Sequence, residues 1–234
     1  MFKKSRTRTR SAKGAKGEAT RQHVLDTALA LFRRQGFART TMRDIADSAG
    51  LSLGAAYHYF PSKDALVMAY YEWMQAEHER LVEDQRSSDA DLKSRIATLF
   101  ATKLELLRRD RKLLGALFGN LGDPTQPLSI FGRQTSDIRE RSLIQFTAVF
   151  ADPAIPDDLR SLLGRLLWLA HLGVFLFFIH DTSPKQARTF ALVDALVDLA
   201  ASAVPLVSHP FAAPVRRRIL DLMSYLDGER EATA

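Results

Sequence analysis

Residues 41–63, Thr-Met-Arg-Asp-Ile-Ala-Asp-Ser-Ala-Gly-Leu-Ser-Leu-Gly-Ala-Ala-Tyr-His-Tyr-Phe-Pro-Ser-Lys, constrain this chain more than any other stretch. They read as two short helices joined by a tight turn. Thr41 can cap the first, and Asp44 stands three residues on, where a capping box takes an acid. Ile45, Ala46 and Ala49 give that helix an apolar face of small residues. Gly50 follows, where a helix stop needs tolerance of positive φ. Ser52 can cap the second helix, on which Ala56 and Phe60 share a face four residues apart. Helices this short bury too little surface alone, so they must pack crosswise on a neighbour. The pattern is a helix-turn-helix, and its second helix is the kind that lies in a DNA major groove.

Upstream, Arg21 to Phe37 reads as an amphipathic helix with Thr20 at its N-cap, a stripe of Leu25, Ala28, Leu31 and Phe32, and Gly36 as its stop. These residues stand in order with Thr40-Thr41, Ile45-Ala46, Ala49-Gly50 and the run Tyr57-His58-Tyr59-Phe60-Pro61-Ser62-Lys63. Residues 18–66 therefore resemble the N-terminal domain of TetR-family (tetracycline-repressor-like) transcriptional regulators. Beyond residue 66 only length and all-helical character support the resemblance. The implied fold is all-α: a three-helix DNA-binding domain over 18–66, followed by a helical dimerisation and ligand-binding domain over 67–234.

Charge is split unevenly along the chain. Residues 1–64 carry 13 Lys/Arg against 5 Asp/Glu, a net of +8, and the remainder holds 20 basic and 22 acidic residues, a net of −2. A basic end on a near-neutral body is the electrostatic footprint of a phosphate-backbone binder. Residues 1–17 hold seven Lys/Arg and nothing from which to build a core, so a disordered basic arm is expected. Such an arm either tracks phosphates beside the docked domain or only solubilises the chain. The chain has no cysteine, which excludes disulfides and thiolate chemistry and suits a cytoplasmic protein. No apolar h-region follows the basic N-terminus, so no secretory signal is expected.

Further along, amphipathic helices are expected at about 63–85, 90–109 and 111–118. Gly119 to Asp137, with three Gly and two Pro, reads largely as loop, and a helix resumes toward Phe150. Two more helices are expected at about 157–181 and 184–204, the second opened by Ser183-Pro184, and a last one at about 214–226. The most apolar run, Leu166 to Ile179, is 14 residues long and reads as a buried helix rather than a membrane span.

The resemblance implies a role for individual residues. Leu53, Gly54, Ala55, Tyr57 and His58 would face the groove, while Ala56 and Phe60 turn inward. Tyr57, His58, Tyr59 and Lys63 would contact phosphates and set register. Tyr59 can instead sit half-buried against the first helix, and Lys63 can be a solvated first-turn charge. Thr41 and Ser52 would offer donors to phosphate at helix N-termini. Arg43 matches a position from which an Arg can reach a guanine edge. Leu53 and Ala55 replace polar residues frequent at these positions, so base reading would rest on thymine methyls, Arg43 and DNA shape.

Gly50-Leu51-Ser52-Leu53-Gly54 matches the G-x-S-x-G of serine hydrolases, but that elbow needs a strand before the Ser, and a capped, charged helix stands there instead. The six histidines show no metal-ligand spacing, so neither metal, cofactor nor catalytic residues are expected. His171, the polar interruption of the apolar run, is either a hydrogen-bonded core group or a polar handle in a ligand pocket with Phe118, Phe146, Phe150 and Trp168. The resemblance implies a homodimer on palindromic double-stranded DNA, with repression released by a small apolar or aromatic effector. An activator, or a regulator without an effector, is the alternative. No membrane partner is expected.

Overall fold

The computed structural model describes residues 6–117 and 126–226. Its helices are α1 (Arg6–Gln35), α2 (Met42–Ser48), α3 (Leu53–Tyr59), α4 (Lys63–Asp84), α5 (Leu92–Arg108), α6 (Arg111–Leu117), α7 (Ser136–Ala148), α8 (Asp157–His180), α9 (Ala187–Ser208) and α10 (Ala213–Leu226). No strand occurs among the described residues. The fold is all-α, as the sequence implied.

The chain divides into two compact units: residues 1–74 with 110–138, and residues 75–109 with 139–234. The first unit thus extends past residue 66 and reclaims a distant segment. The cause is Asp110, buried just before α6. Its carboxylate accepts from Arg33 Nε at 2.6 Å and Arg33 Nη2 at 2.9 Å, on α1, and from the Tyr70 hydroxyl on α4. The Asp110 hydrogen bond raises the Arg33 pKa above its ordinary value. Burial and the same carboxylate push the Tyr70 phenol up.

The core of the first unit is Val24, Leu25, Ala28, Leu31 and Phe32 of α1, Met42, Ile45 and Ala46 of α2, Ala56 of α3, Phe60, and Leu66, Val67 and Tyr70 of α4. Two helix stops use glycine in the left-handed region: Gly36 at φ +90° and Gly50 at φ +68°. The start of α1 differs from expectation. Thr20 is no N-cap, because its hydroxyl donates back to the Lys16 carbonyl at 2.9 Å inside a continuing helix. Residues 6–17 continue that helix instead of forming the expected disordered arm. Their Arg, Lys and Ala are good helix formers and no proline interrupts them.

In the second unit α9 packs on α5 and α8, and α10 on α9. Its buried residues include Ile96, Leu99, Phe100 and Leu104 of α5, Phe146 of α7, Phe150 in the turn after it, Leu159, Trp168 and Phe178 of α8, and Val193 and Val197 of α9. Gly164 of α8 lies where α7 crosses closely; a Cβ there would sit 2.8 Å from the Thr147 Cα. The α8–α9 turn is not opened by Ser183 as a simple N-cap. Asp181 is buried and accepts from Ser183 N at 2.8 Å, Thr189 N at 2.9 Å and Thr189 Oγ1 at 2.7 Å. Burial opposes ionisation of Asp181, yet these donors outweigh it and hold the carboxyl well below its usual range. Between them Lys185 and Gln186 both adopt left-handed φ, +54° and +57°.

Among the described residues, two segments are long and apolar enough to cross a membrane by length and composition, Asp157–His180 and Pro184–Ser208. α8 keeps the bounds expected at about 157–181, and its apolar character continues N-terminally of the 14-residue run through Leu159, Leu162 and Leu163. Nearly half of the apolar window of α8 is buried (44%), against 17% for α9, so α9 leaves most of its apolar surface open.

Candidate functional site

The α2–α3 pair is built by reciprocal capping. Asp44 N donates to Thr41 Oγ1 at 3.1 Å, and Thr41 N donates to Asp44 Oδ2 at 2.8 Å. The Thr41 hydroxyl also donates to Asp44 Oδ2 at 2.8 Å. The backbone hydrogen bond from Thr41 leads the effects that hold the Asp44 carboxyl below its usual range. Both donors of Thr41 are therefore occupied within the cap. Ser52 differs: its Oγ accepts from Ala55 N at 3.2 Å, which leaves the hydroxyl proton free to donate outward.

On α3, Ala56 is fully buried and Phe60 follows it inward, while Gly54, Tyr57 and His58 are exposed. Leu53, Ala55 and Tyr59 are half-buried. Tyr57 holds 46% of its surface in solvent. His58 and Tyr59 meet edge to face, with ring centroids 5.3 Å apart. Arg43 is exposed on the first turn of α2 and makes no ion pair among the described residues. Lys63 is not simply solvated. Its Nζ donates to the Phe37 carbonyl at 2.8 Å and lies 4.4 Å from the Phe37 ring centroid, so two of its three N–H groups remain. Arg21 lies 4.8 Å from the Phe60 ring centroid and fixes the end of α3 against α1.

The expected ligand residues are placed as follows. Phe118 lies outside the described residues. Phe146, Phe150, Trp168 and His171 are all buried, with Phe146 and His171 ring centroids 4.8 Å apart and Phe100 packed on both. Neither His171 nitrogen makes a hydrogen bond of normal geometry among the described residues. Burial, then Lys103 and His78, holds the His171 pKa well below its ordinary value. His78, bonded through Nε2 to the Leu99 carbonyl at 3.0 Å, is pushed down by burial to about 3. The Lys103 ammonium is pushed down by burial to about 8.

These side chains form a packed centre, and a cavity of about 550 Å³ lies beside it, lined by none of them. Its walls come from the C-terminal part of α4, the first half of α5, and α7: Glu79, Val82, Arg95, Leu99, Arg141, Ile144, Gln145 and Val149 among others. Arg141 binds both carboxylate oxygens of Glu79. Gln75 Nε2 donates to Glu79 Oε1 and to Gln145 Oε1, each at 3.1 Å. Sequence reasoning missed this wall, because partners about 60–70 residues apart carry no local signal.

Comparison with known proteins agrees with the architecture. The family model for the N-terminal part of bacterial TetR-family regulatory proteins matches residues 24–70, and that for a tetracycline-repressor-like C-terminal domain matches 95–224. The transcriptional repressor KstR2 of Mycobacterium tuberculosis is 35% identical over 91 residues, 37% of this chain and 44% of that protein. The chain thus spans less than half the length of that relative. An uncharacterised HTH-type transcriptional regulator of the same organism is 27% identical over 198 residues, covering 82% of this chain and 93% of its own. Among solved structures, the fatty acid degradation regulator FadR of Bacillus halodurans superposes with a TM-score of 0.62 at 16% identity, over 78% of this chain and 94% of its own. FadR of Bacillus subtilis, in complex with stearoyl-CoA, gives 0.57 at 20% identity, over 77% and 97%. At these identities the structural likeness speaks for the fold. The helix-turn-helix, the basic first unit and both domain matches converge: the chain belongs to the TetR family of bacterial transcriptional regulators and is not an enzyme.

Proposed function

We propose that the protein is a repressor that binds a palindromic operator as a homodimer in the cytoplasm and lets go when a small ligand occupies its second unit. The observation that carries the DNA-binding part is the face of α3. Gly54, Tyr57 and His58 stand clear of the protein on a unit of strong positive charge, with Ser52 and Lys63 beside them holding spare donors. Arg43 would read a base, and Leu53 and Ala55 would meet thymine methyls. Thr41, its donors taken by Asp44, would position α2 rather than hold a phosphate.

Dimerisation is supported by heptad-spaced exposed residues. Leu192, Leu199 and Leu206 recur every seven residues on α9, with Ala195 between the first two; Leu166, Leu169, Gly173 and Leu176 do the same on α8. The charges of Arg160 and Arg165 on α8 favour a second copy over lipid as the cover. A twofold dimer would set two recognition helices roughly 34–36 Å apart, one turn of DNA. The ligand part of the reading draws on the FadR complex with stearoyl-CoA and on the cavity in the second unit.

Selection from a random DNA pool by the purified protein tests the whole reading. A palindromic consensus is expected. In single-base variants of it, Arg43→Ala should lose preference at one pair per half-site, about 1–3 kcal/mol, while Lys63→Ala weakens all variants alike. Recovery of no consensus, or binding by a monomer that Ala195→Glu leaves unaltered, overturns it.

A further inference from the structure

Gly54 has no reason within the fold to be glycine. It is the second residue of α3, and its backbone is ordinary right-handed helix, unlike that of Gly36 and Gly50. No side chain beyond its two neighbours comes within 4 Å of where its Cβ would stand, unlike the crowded position of Gly164. Alanine would fit there in backbone and in space, and alanine is the better helix former. The remaining use of glycine is to let something approach the backbone closely. Among the described residues nothing does. Gly17 and Gly173 are as open, but they stand on α1 and α8 and not on the helix that meets DNA.

The surroundings give this open space a shape and a chemistry. Tyr57 and His58 stand three and four residues on, one turn up the same face. Helical side chains lean toward the N-terminus, here toward Gly54. Both rings nevertheless leave it uncovered: Tyr57 extends into solvent, and the His58 ring is turned to the ring of Tyr59. The result is a notch with the Gly54 Cα as its floor, two rings on one side, and half-buried Leu53 and Ala55 flanking it. No side chain from 53 to 55 can donate or accept a hydrogen bond. A polar base edge placed there would lose its water and gain no side-chain partner. The apolar group on a major-groove base edge is the C5 methyl of thymine. A methyl is also what separates glycine from alanine.

We infer that Gly54 is a specificity-determining residue: the space of its missing methyl seats the C5 methyl of one thymine in each half-site. The inference rests on the reading of α3 as the groove-facing helix. The net charge of +8 over residues 1–64 draws any duplex to the first unit and carries no preference among sequences. The notch supplies a preference, because only a close approach of the α3 backbone brings that methyl into contact.

A protein–DNA cycle, read by fluorescence anisotropy on the selected operator with the full chain, tests it. Deoxyuridine, which lacks the methyl, replaces each thymine of one half-site in turn. At one position the parent should lose about three- to tenfold in affinity. Gly54→Ala should hold or raise the melting temperature and lose at least tenfold on the thymine operator. It should bind the uracil operator at least as well as the thymine one, since its own methyl fills the vacated space. Mixed-sequence DNA should bind both proteins within threefold, because that affinity follows charge. A Gly54→Ala protein with full operator affinity, or an equal uracil penalty in both proteins at every position, overturns the inference. So does a melting temperature that falls in step with the affinity, which would make Gly54 a folding residue. A parent that selects no DNA overturns the groove-facing reading as well; one that selects an operator and is indifferent to residue 54 overturns the notch alone.

Discussion

The two compact units solve the problem of polar groups in opposite ways. In the first, each helix end near α2 and α3 is closed by a neighbour in sequence, and the buried carboxylate of Asp110 is matched by a guanidinium and a phenol. In the second, polar groups are buried with fewer hydrogen bonds among the described residues: neither nitrogen of His171 has one of normal geometry, and the Arg95 Nε has no acceptor. A unit that presents a fixed surface to DNA gains from saturation. On the proposed reading, a unit that alters its state with a ligand gains from bonds that are not all closed beforehand. Each unit also carries one of the two tryptophans. Trp73 stacks on Tyr70 in the first, with ring centroids 6.0 Å apart, and Trp168 is buried in the second.

The largest test of this contrast is Asp110→Ala. It strands the Arg33 charge and removes the acceptor of Tyr70, and should cost about 3–5 kcal/mol. Urea unfolding followed through Trp73 reads it; a loss below about 1 kcal/mol would mean that Asp110 does not hold the first unit together. Acid should act on the second unit instead. His78 and His171 are neutral in the fold with depressed pKa values, so the unfolded chain binds more protons than the native one below pH 6.5. Their stabilising effect is complete above that pH and falls as pH drops toward the folded values. From pH 7 to pH 5 the loss should be about 2 kcal/mol from His78, pushed down to about 3, and His171 should add to it in the same direction. In a Trp73→Phe background, Trp168 fluorescence should show it, and His78→Gln should remove about half the slope.

A smaller effect is expected at the α7–α8 crossing. Gly164→Ala should destabilise the second unit by about 1–3 kcal/mol, since its methyl would meet the Thr147 backbone. An unchanged melting temperature would show that the two helices can part without penalty. Smallest is Thr41→Ala, about 1 kcal/mol from the loss of one cap, read by the melting of the first unit. A gain in stability there would contradict the reciprocal hydrogen bonds with Asp44.

What the sequence made legible was what lies within a few residues. The Thr41–Asp44 box, the Ser52 cap and the glycine stops at 36 and 50 are all local, and the structure has each where the spacing put it. Thr20 misled because a hydroxyl that caps one helix can equally well bond back to the carbonyl four residues earlier in another. Asp181 was invisible as the organiser of α9 because its contact with Thr189 spans eight residues across two left-handed ones. Asp110 and Gln145 were beyond reach for a stronger reason: their partners are 77, 40 and 70 positions away. Of the expected ligand residues, Phe146 and His171 pack on one another, and composition does not distinguish a packed centre from the wall of a space.

Lys63 carries one more consequence. A free lysine side chain explores many rotamers, and ordering it costs up to about 1.5–2 kcal/mol. Here the Phe37 carbonyl and ring have already stilled it during folding. Any anion that meets the two remaining N–H groups finds them waiting at one place, so the disorder surrendered on encounter is small and the contact can form at first touch.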